Sequence, residues 1–137
     1  MMNDLLALSD LTRIFDALPE PYVVVDGDRT IVAATDSFLA STGVGRDCIG
    51  RDILDVFPDN PDDPMANGTA VLKGAIEDVI EDKVSLDLPP QRYDMEQPDG
   101  SFEVRYWKPT FLPAFGDDGD VRYVLHGAVD VTAVMTE

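Results

Sequence analysis

Cysteine is nearly missing from this chain: Cys48 is the single one in 137 residues. An internal disulfide and a cysteine-rich zinc site within one chain are therefore excluded, and a reducing compartment is favoured. Histidine is as scarce, with His126 alone. Long hydrophobic runs are absent too. The longest, such as Tyr22–Val25, fall far short of the about 20 residues that cross a bilayer. No basic segment followed by an apolar one opens the chain, so no signal peptide is expected. These absences predict a soluble, cytoplasmic protein without membrane insertion. Basic residues are few: 10 Lys plus Arg face 27 Asp plus Glu, for a formal net charge of -17. Such a charge repels phosphate backbones and anionic lipid, so no nucleic-acid partner is expected. The acid excess reads as solubility or adaptation to high salt, with attraction of a basic partner as the alternative.

What is present belongs to a globular domain. Hydrophobic residues make up 45% of the chain, and its length suits one domain that buries roughly two-thirds of its unfolded surface. From Asp4 to Leu18, the residues Leu5, Leu8, Leu11, Ile14, Phe15 and Leu18 recur at helical spacing and form an apolar stripe on one face. Pro19 and Pro21 stop that helix. Tyr22–Val25 and Thr30–Ala33 read as two short strands joined by the turn Asp26-Gly27-Asp28. A short helix follows, with Asp36 as its expected N-cap and Gly43 as its stop. Two more helical pieces are expected near Arg46–Ile49 and Ile53–Phe57.

The stretch Pro58 to Pro64 holds three prolines in seven residues and reads as a loop. A longer helix is predicted over about Ala66–Asp82, with Val71, Leu72, Ala75, Ile76, Val79 and Ile80 on one face. The period then changes to two. Arg92–Met95 is expected as a strand, ending in the turn Pro98-Asp99-Gly100. Phe102, Val104 and Tyr106 alternate with Glu103, Arg105 and Trp107. After the turn Gly116–Asp120, a final strand carries Val121, Tyr123, Leu125, Gly127, Val129 and Val131 on one side. The fold class is α+β: a five-stranded antiparallel sheet, short helices on one face and a flanking N-terminal amphipathic helix. The expected organisation is a flanking helix over 1–18, the domain over 19–132 and the start of a C-terminal connector over 133–137.

Several motifs in this order resemble a PAS domain. Val23-Val24-Val25-Asp26 with Thr30-Ile31-Val32-Ala33-Ala34 resembles the family's opening hairpin. Phe38, Gly43 and the run from Gly50 to Pro58 resemble its short-helix segment. Pro98-Asp99-Gly100-Ser101-Phe102 resembles the turn before its fourth strand, and Asp130-Val131-Thr132 its Asp-x-Thr ending. The likeness runs from about Asp10 to Thr132. The Pro58–Pro64 loop and Arg105-Tyr106-Trp107-Lys108-Pro109 are similar to sensor domains of bacterial histidine kinases. One departure is Thr35, which stands where the family often has asparagine.

PAS domains share a shape and differ in what they hold, so the ligand must be argued from residues. Haem-binding relatives commonly use a histidine on the long helix, and Ala66–Asp82 contains none. His126 lies in the last strand and reads as structural. Flavin-binding relatives need a cysteine shortly after Gly-Arg, where this chain has Ile53 after Gly50-Arg51. Cys48 precedes that pair and reads as a small buried hydrophobe. No haem or covalent flavin adduct is therefore expected, although a small organic ligand remains open.

Little in the sequence supports catalysis. No Gly-x-Ser-x-Gly elbow or Gly-rich nucleotide loop occurs, and His126 has no evident nucleophile partner. The carboxylates Asp59, Asp62, Asp63, Asp117, Asp118 and Asp120 sit in turn compositions and read as solvated loops, so no metal site is assigned. Arg92, Tyr93, Arg105, Trp107 and His126 are the candidate ligand-binding residues. An arginine turned into an apolar pocket would call for an anion such as a small carboxylate. Alternatively both arginines lie outside and pair with Glu103, Glu96 or other acids.

The resemblance implies a regulatory sensor and dimerisation module, not an enzyme, within bacterial two-component signalling. Its partners would be a second copy and an effector domain in cis or a separate signalling protein. Leu5, Leu8, Leu11, Ile14 and Phe15 are the expected homodimer surface, with packing on the chain's own sheet as the alternative. The chain ends at Glu137, five residues past Thr132, and reads as a domain fragment or a stand-alone module. A ligand-free interaction domain and a small α+β enzyme are the competing readings.

Overall fold

The computed structural model describes residues 6–136. The first helix, α1, spans Leu8–Asp16, and Leu5 lies outside the described residues. Strands β1 (Tyr22–Asp26) and β2 (Ile31–Ala34) pair antiparallel, with Val23 opposite Ala34 and Val25 opposite Ile31. The Asp26 carboxylate closes their turn by accepting from the Asp28 and Thr30 amides at 2.9 and 3.0 Å. Such local bonding is why aspartate favours turns.

Helix α2 covers Asp36–Thr42 and stops at Gly43, whose φ of 76° suits glycine. Its cap differs from expectation. The Phe38 amide donates to Thr35 Oγ1 at 3.2 Å, and Asp36 is the first helical residue. Thr35 does more than cap. Its hydroxyl donates to the Glu20 carbonyl at 2.8 Å and accepts from the Tyr22 amide at 3.1 Å. One buried side chain thus joins the entry to β1, the exit from β2 and the start of α2.

A single 3-10 turn at Arg46–Cys48 leads to α3 (Ile53–Val56), which Asp52 caps through the Leu54 amide at 2.8 Å. Helix α4 spans Gly68–Asp82. Its own N-cap, Asn67, makes no capping bond. Asp59 in the proline-rich loop caps it instead, accepting from the Thr69 amide at 3.0 Å and hydroxyl at 2.7 Å. Leu72, Ala75, Ile76 and Val79 face the core at helical spacing.

The main sheet has the order β2-β1-β8-β7-β3, with β4 also paired to β7. Here β3 is Leu86–Asp87, β4 is Gln91–Arg92, β7 is Tyr106–Phe115 and β8 is Val121–Asp130. All pairings are antiparallel. The strand expected over Arg92–Met95 does not form as one piece: Arg92 ends β4, Tyr93 and Asp94 lie outside any strand, and Met95 opens a separate hairpin. Pro89 and Pro90 separate β3 from β4, and proline has no N–H to donate to a ladder. Met95–Glu96 (β5) and Phe102–Glu103 (β6) form a separate two-stranded hairpin.

That detour changes the phase of the alternation. The expected strand through Phe102, Val104 and Tyr106 is interrupted after Glu103, and β7 starts at Tyr106. The buried residues of β7 are Trp107, Pro109 and Phe111. In β8, Val124 and Ala128 are buried, whereas Val121, Tyr123, Leu125 and Val129 are not. Val124 and Ala128 on the even-numbered side belong to the core, while on the odd side Gly127 is also buried and Val121 packs against the core at the start of the strand. A short helix, α5 (Thr132–Met135), ends the described chain.

The Thr35 hydroxyl yields a clear expectation. Thr35→Val keeps the shape but strands the Tyr22 and Phe38 amides, so it should cost roughly 2–4 kcal/mol of unfolding free energy. Thr35→Ser, which retains the hydroxyl, should cost less than half as much. Urea denaturation of the three proteins checks this, and equal losses for Val and Ser would remove the hydroxyl's role.

Candidate functional site

A cavity of about 80 Å³ lies between the sheet and the helices. Phe38 and Thr42 reach it from α2, Ile53 from α3, Leu72 from α4, and Trp107, Phe111 and His126 from β7 and β8. Sheet register explains the floor. Phe111 and Val23 both stand opposite His126, so these three side chains share a face. The Phe111 and His126 rings stack with centroids 4.4 Å apart and planes 8° from parallel.

The cavity walls contain polar groups whose donors are already engaged. Trp107 Nε1–H donates to the Tyr93 carbonyl at 3.0 Å. The Tyr93 hydroxyl donates to the Phe57 carbonyl. Thr42 Oγ1–H donates to the Phe38 carbonyl at 2.9 Å. His126 Nδ1 lies 3.2 Å from the Thr110 carbonyl. A carbonyl only accepts, so Nδ1 must carry the hydrogen, and the neutral ring then leaves Nε2 as an acceptor. Burial pushes the His126 pKa down to about 4, with the Thr110 bond opposing it. Burial also raises the Tyr93 pKa, and the nearby Asp59 charge adds to that rise.

Tyr93 stands at a border. It and Gln91 line both the apolar cavity and an outer cleft of about 240 Å³. The Tyr93 ring packs so closely on Gly68 that a Cβ there would fall 2.1 Å from its Cδ2. Glycine at the first turn of α4 is thus what admits the ring.

The two candidate arginines lie elsewhere. Arg92 lines the outer cleft and grips Asp94 with two bonds of 2.9 Å. That grip, with a bond from Asn60, holds the Asp94 pKa below its ordinary value despite burial. Arg105 lines neither space. Its guanidinium pairs with Glu103 at 3.2 Å and Asp130 at 3.0 Å, and Nη1 also donates to the Ser41 carbonyl at 3.3 Å. Asp130 in turn accepts from the Thr132 amide at 2.9 Å, and the Tyr106 amide donates to Thr132 Oγ1 at 2.9 Å. Burial alone would raise the Asp130 pKa, but the Thr132 and Arg105 bonds outweigh it and lower it.

Of the five ligand-site candidates, the fold brings together Tyr93, Trp107 and His126. Phe38, Ile53 and Met95 join them without having been picked out from sequence for this purpose. The family resemblance marked Phe38 and Ile53 and a strand pattern marked Met95, and neither signal shows where a core is hollow. Cys48 is buried, and burial together with the Asp47 charge raises its thiol pKa. It does not line the cavity, whereas Ile53 does. On α1, Leu8, Leu11 and Ile14 are exposed, at 84%, 52% and 50%, and Phe15 is half-buried. Their stripe is therefore not buried on the chain's own sheet. Among the described residues, no group of three metal-ligating side chains forms, and no helix is long and apolar enough to cross a membrane.

A family model described as the PAS fold matches residues 15–135. The chain belongs to that family. Solved structures show the same fold. An RNA-binding light-oxygen-voltage receptor superposes with a TM-score of 0.67 at 18% identity over 96% of this chain. The chain spans 34% of that receptor's length. A PAS domain of a Colwellia psychrerythraea protein gives 0.67 at 17% identity, covering 92% of this chain and 98% of that one. The PAS domain of the fruit-fly ELK potassium channel gives 0.64 at 18%, covering 93% and 98%. No curated protein matches the sequence. Members of that family typically sense signals rather than catalyse.

His126 generates a pH prediction. Its pKa is about 4 in the folded protein against 6.5 for the free side chain. Between those values the unfolded chain binds a proton that the native ring does not. Stability contributed by the neutral ring is therefore complete above about pH 6.5 and falls as the pH drops toward 4, by roughly 3 kcal/mol in all. Urea unfolding of the wild type and His126→Gln across this range isolates the effect from the carboxylates. A smaller acid-side loss in the variant is expected, and parallel curves would contradict it.

Proposed function

We propose that this domain is a sensor and dimerisation module of bacterial signal transduction, working within a two-component system. A small ligand in the cavity shifts the population of two packings, and the change reaches an effector through the segment after Thr132. The observation that carries this reading is Arg105. The helix that lends Phe38 and Thr42 to the cavity also lends the Ser41 carbonyl to Arg105, which holds Asp130 of the Asp-x-Thr ending. Cavity wall and exit segment thus share one side chain. The effector is either in cis or a separate protein, and the module itself is not an enzyme. The reading places it in the cytoplasm.

The cavity's volume and lining support a small organic ligand over haem or a flavin adduct. Sites for drug-sized ligands span about 300–1,000 Å³, against about 80 Å³ here. Ile53 occupies the wall where a reactive cysteine would be needed, and His126 lies flat on Phe111 with Nδ1 engaged. The exposed Leu8, Leu11 and Ile14 with Phe15 form the homodimer surface in this proposal, because an unpartnered apolar helix face favours association.

Two measurements test the two halves. Removing the Arg105 link by Arg105→Gln should speed hydrogen exchange in Thr132–Met135 about tenfold while β1 stays protected. Unchanged exchange there would sever the proposed route. For assembly, light scattering should give twice the 15.0 kDa chain mass for the wild type. Leu11→Glu with Ile14→Glu should return one chain mass. Because each copy carries -17, added salt should tighten the dimer. A wild type that stays monomeric at high concentration ends the dimer proposal.

A further inference from the structure

The chemistry of the cavity wall restricts its occupant. Among the described residues no charged side chain lines it; both candidate arginines are committed to acids outside. An ion entering would leave its hydration with no counter-charge to meet, which is costly. Among the wall's polar side chains, the donors of Trp107, Tyr93, Thr42 and the His126 Nδ1–H already serve carbonyls. Gln91 stands at the border with the outer cleft. One nitrogen remains: His126 lines the cavity, and its Nε2 has no hydrogen-bond partner among the described residues. It is also not sealed off, since among the described residues Arg29 Nε is the only buried side-chain polar atom without a partner.

Size narrows the class further. An apolar cavity of about 150 Å³ holds benzene, or about 25 Å³ for each heavy atom. The 80 Å³ here then suits a molecule of about three or four heavy atoms. We propose that the cavity takes an uncharged, mostly apolar molecule of this size whose single hydroxyl or N–H donates to His126 Nε2, a short-chain alcohol being the simplest case. The proposal rests on reading the cavity as the ligand site and adds the ligand's chemistry. It replaces the small carboxylate that an inward arginine would have required.

Three probes with four heavy atoms each separate the possibilities: propan-1-ol, acetone and acetate. The first is neutral with a donor, the second neutral with only an acceptor, the third an anion. Each is titrated into the full chain, following the Trp107 indole N–H and the backbone amides of Phe111 and His126 by NMR. The expected result is millimolar binding of propan-1-ol, acetone weaker by about fivefold for want of one hydrogen bond, and no saturable shift with acetate. In His126→Phe, which keeps the stack on Phe111 but removes the acceptor, the alcohol should fall to the level of acetone. Binding of all three without preference, or tighter acetate, would overturn the ligand class while leaving the cavity as a site. No shift with any probe would overturn the cavity reading itself. The wild-type comparison stands even where the variant fails to fold.

Discussion

The pairing of β1 with β8 is the constraint on which the rest of the molecule depends. Val23 meets His126, and Val25 meets Val124, although about 100 residues separate the partners. Closing so long a loop costs only slightly more than closing a short one, because the entropy grows with the logarithm of length. The contact seats the N-terminal hairpin against the C-terminal pair and makes one sheet of them. It also sets which way His126 points. A slip of one residue would turn the histidine to the outer face and put Leu125 or Gly127 over the helices. The Pro21 carbonyl, accepting from the Ala128 amide at 3.1 Å, and the Thr35 hydroxyl hold β1 at its entry and oppose such a slip.

Much of the element order could be read from residue pattern. The opening hairpin, the stop at Gly43 and the apolar face of α4 all follow from local rules that act over a few residues. What could not be read was non-local. The α4 cap comes from Asp59, ten residues upstream and across a proline-rich loop. The strand expected over Arg92–Met95 divides because Arg92 pairs with Tyr106 whereas Met95 pairs with Glu103, partners that the local pattern does not name. The phase of β7 hinges on the β5–β6 detour. Without it, strict alternation from Phe102 would have put Tyr106 inside and Trp107 outside. At the candidate site, residue types pointed to Tyr93, Trp107 and His126, which the fold gathers. Charge scarcity alone could not say that Arg92 and Arg105 find their acids outside the cavity: Asp94 is only two residues from Arg92, but Asp130 reaches Arg105 from 25 residues away.

Two kinds of order meet around the cavity. Its walls satisfy nearly all of their polar groups internally, which makes an apolar interior tolerable. Charge lies outside it, with Arg92 and Arg105 each bound to more than one acid. In a chain carrying -17, the few arginines act as struts between acidic segments. Arg105 links α2, β7 and the Asp-x-Thr ending, so a change in the wall at Phe38 or Thr42 has a short path to the exit of the domain. The proposed role rests on where this one side chain finds its partners, not on the fold alone.

The central claim is that the cavity presents a neutral imidazole whose free nitrogen is an acceptor. Long-range proton–nitrogen NMR of the His126 ring at about pH 6 tests it most directly. The expected spectrum shows a protonated Nδ1 and an unprotonated Nε2, the uncharged tautomer that a bond to the Thr110 carbonyl demands. Two equivalent protonated nitrogens at that pH, or a proton on Nε2 with Nδ1 bare, would contradict it.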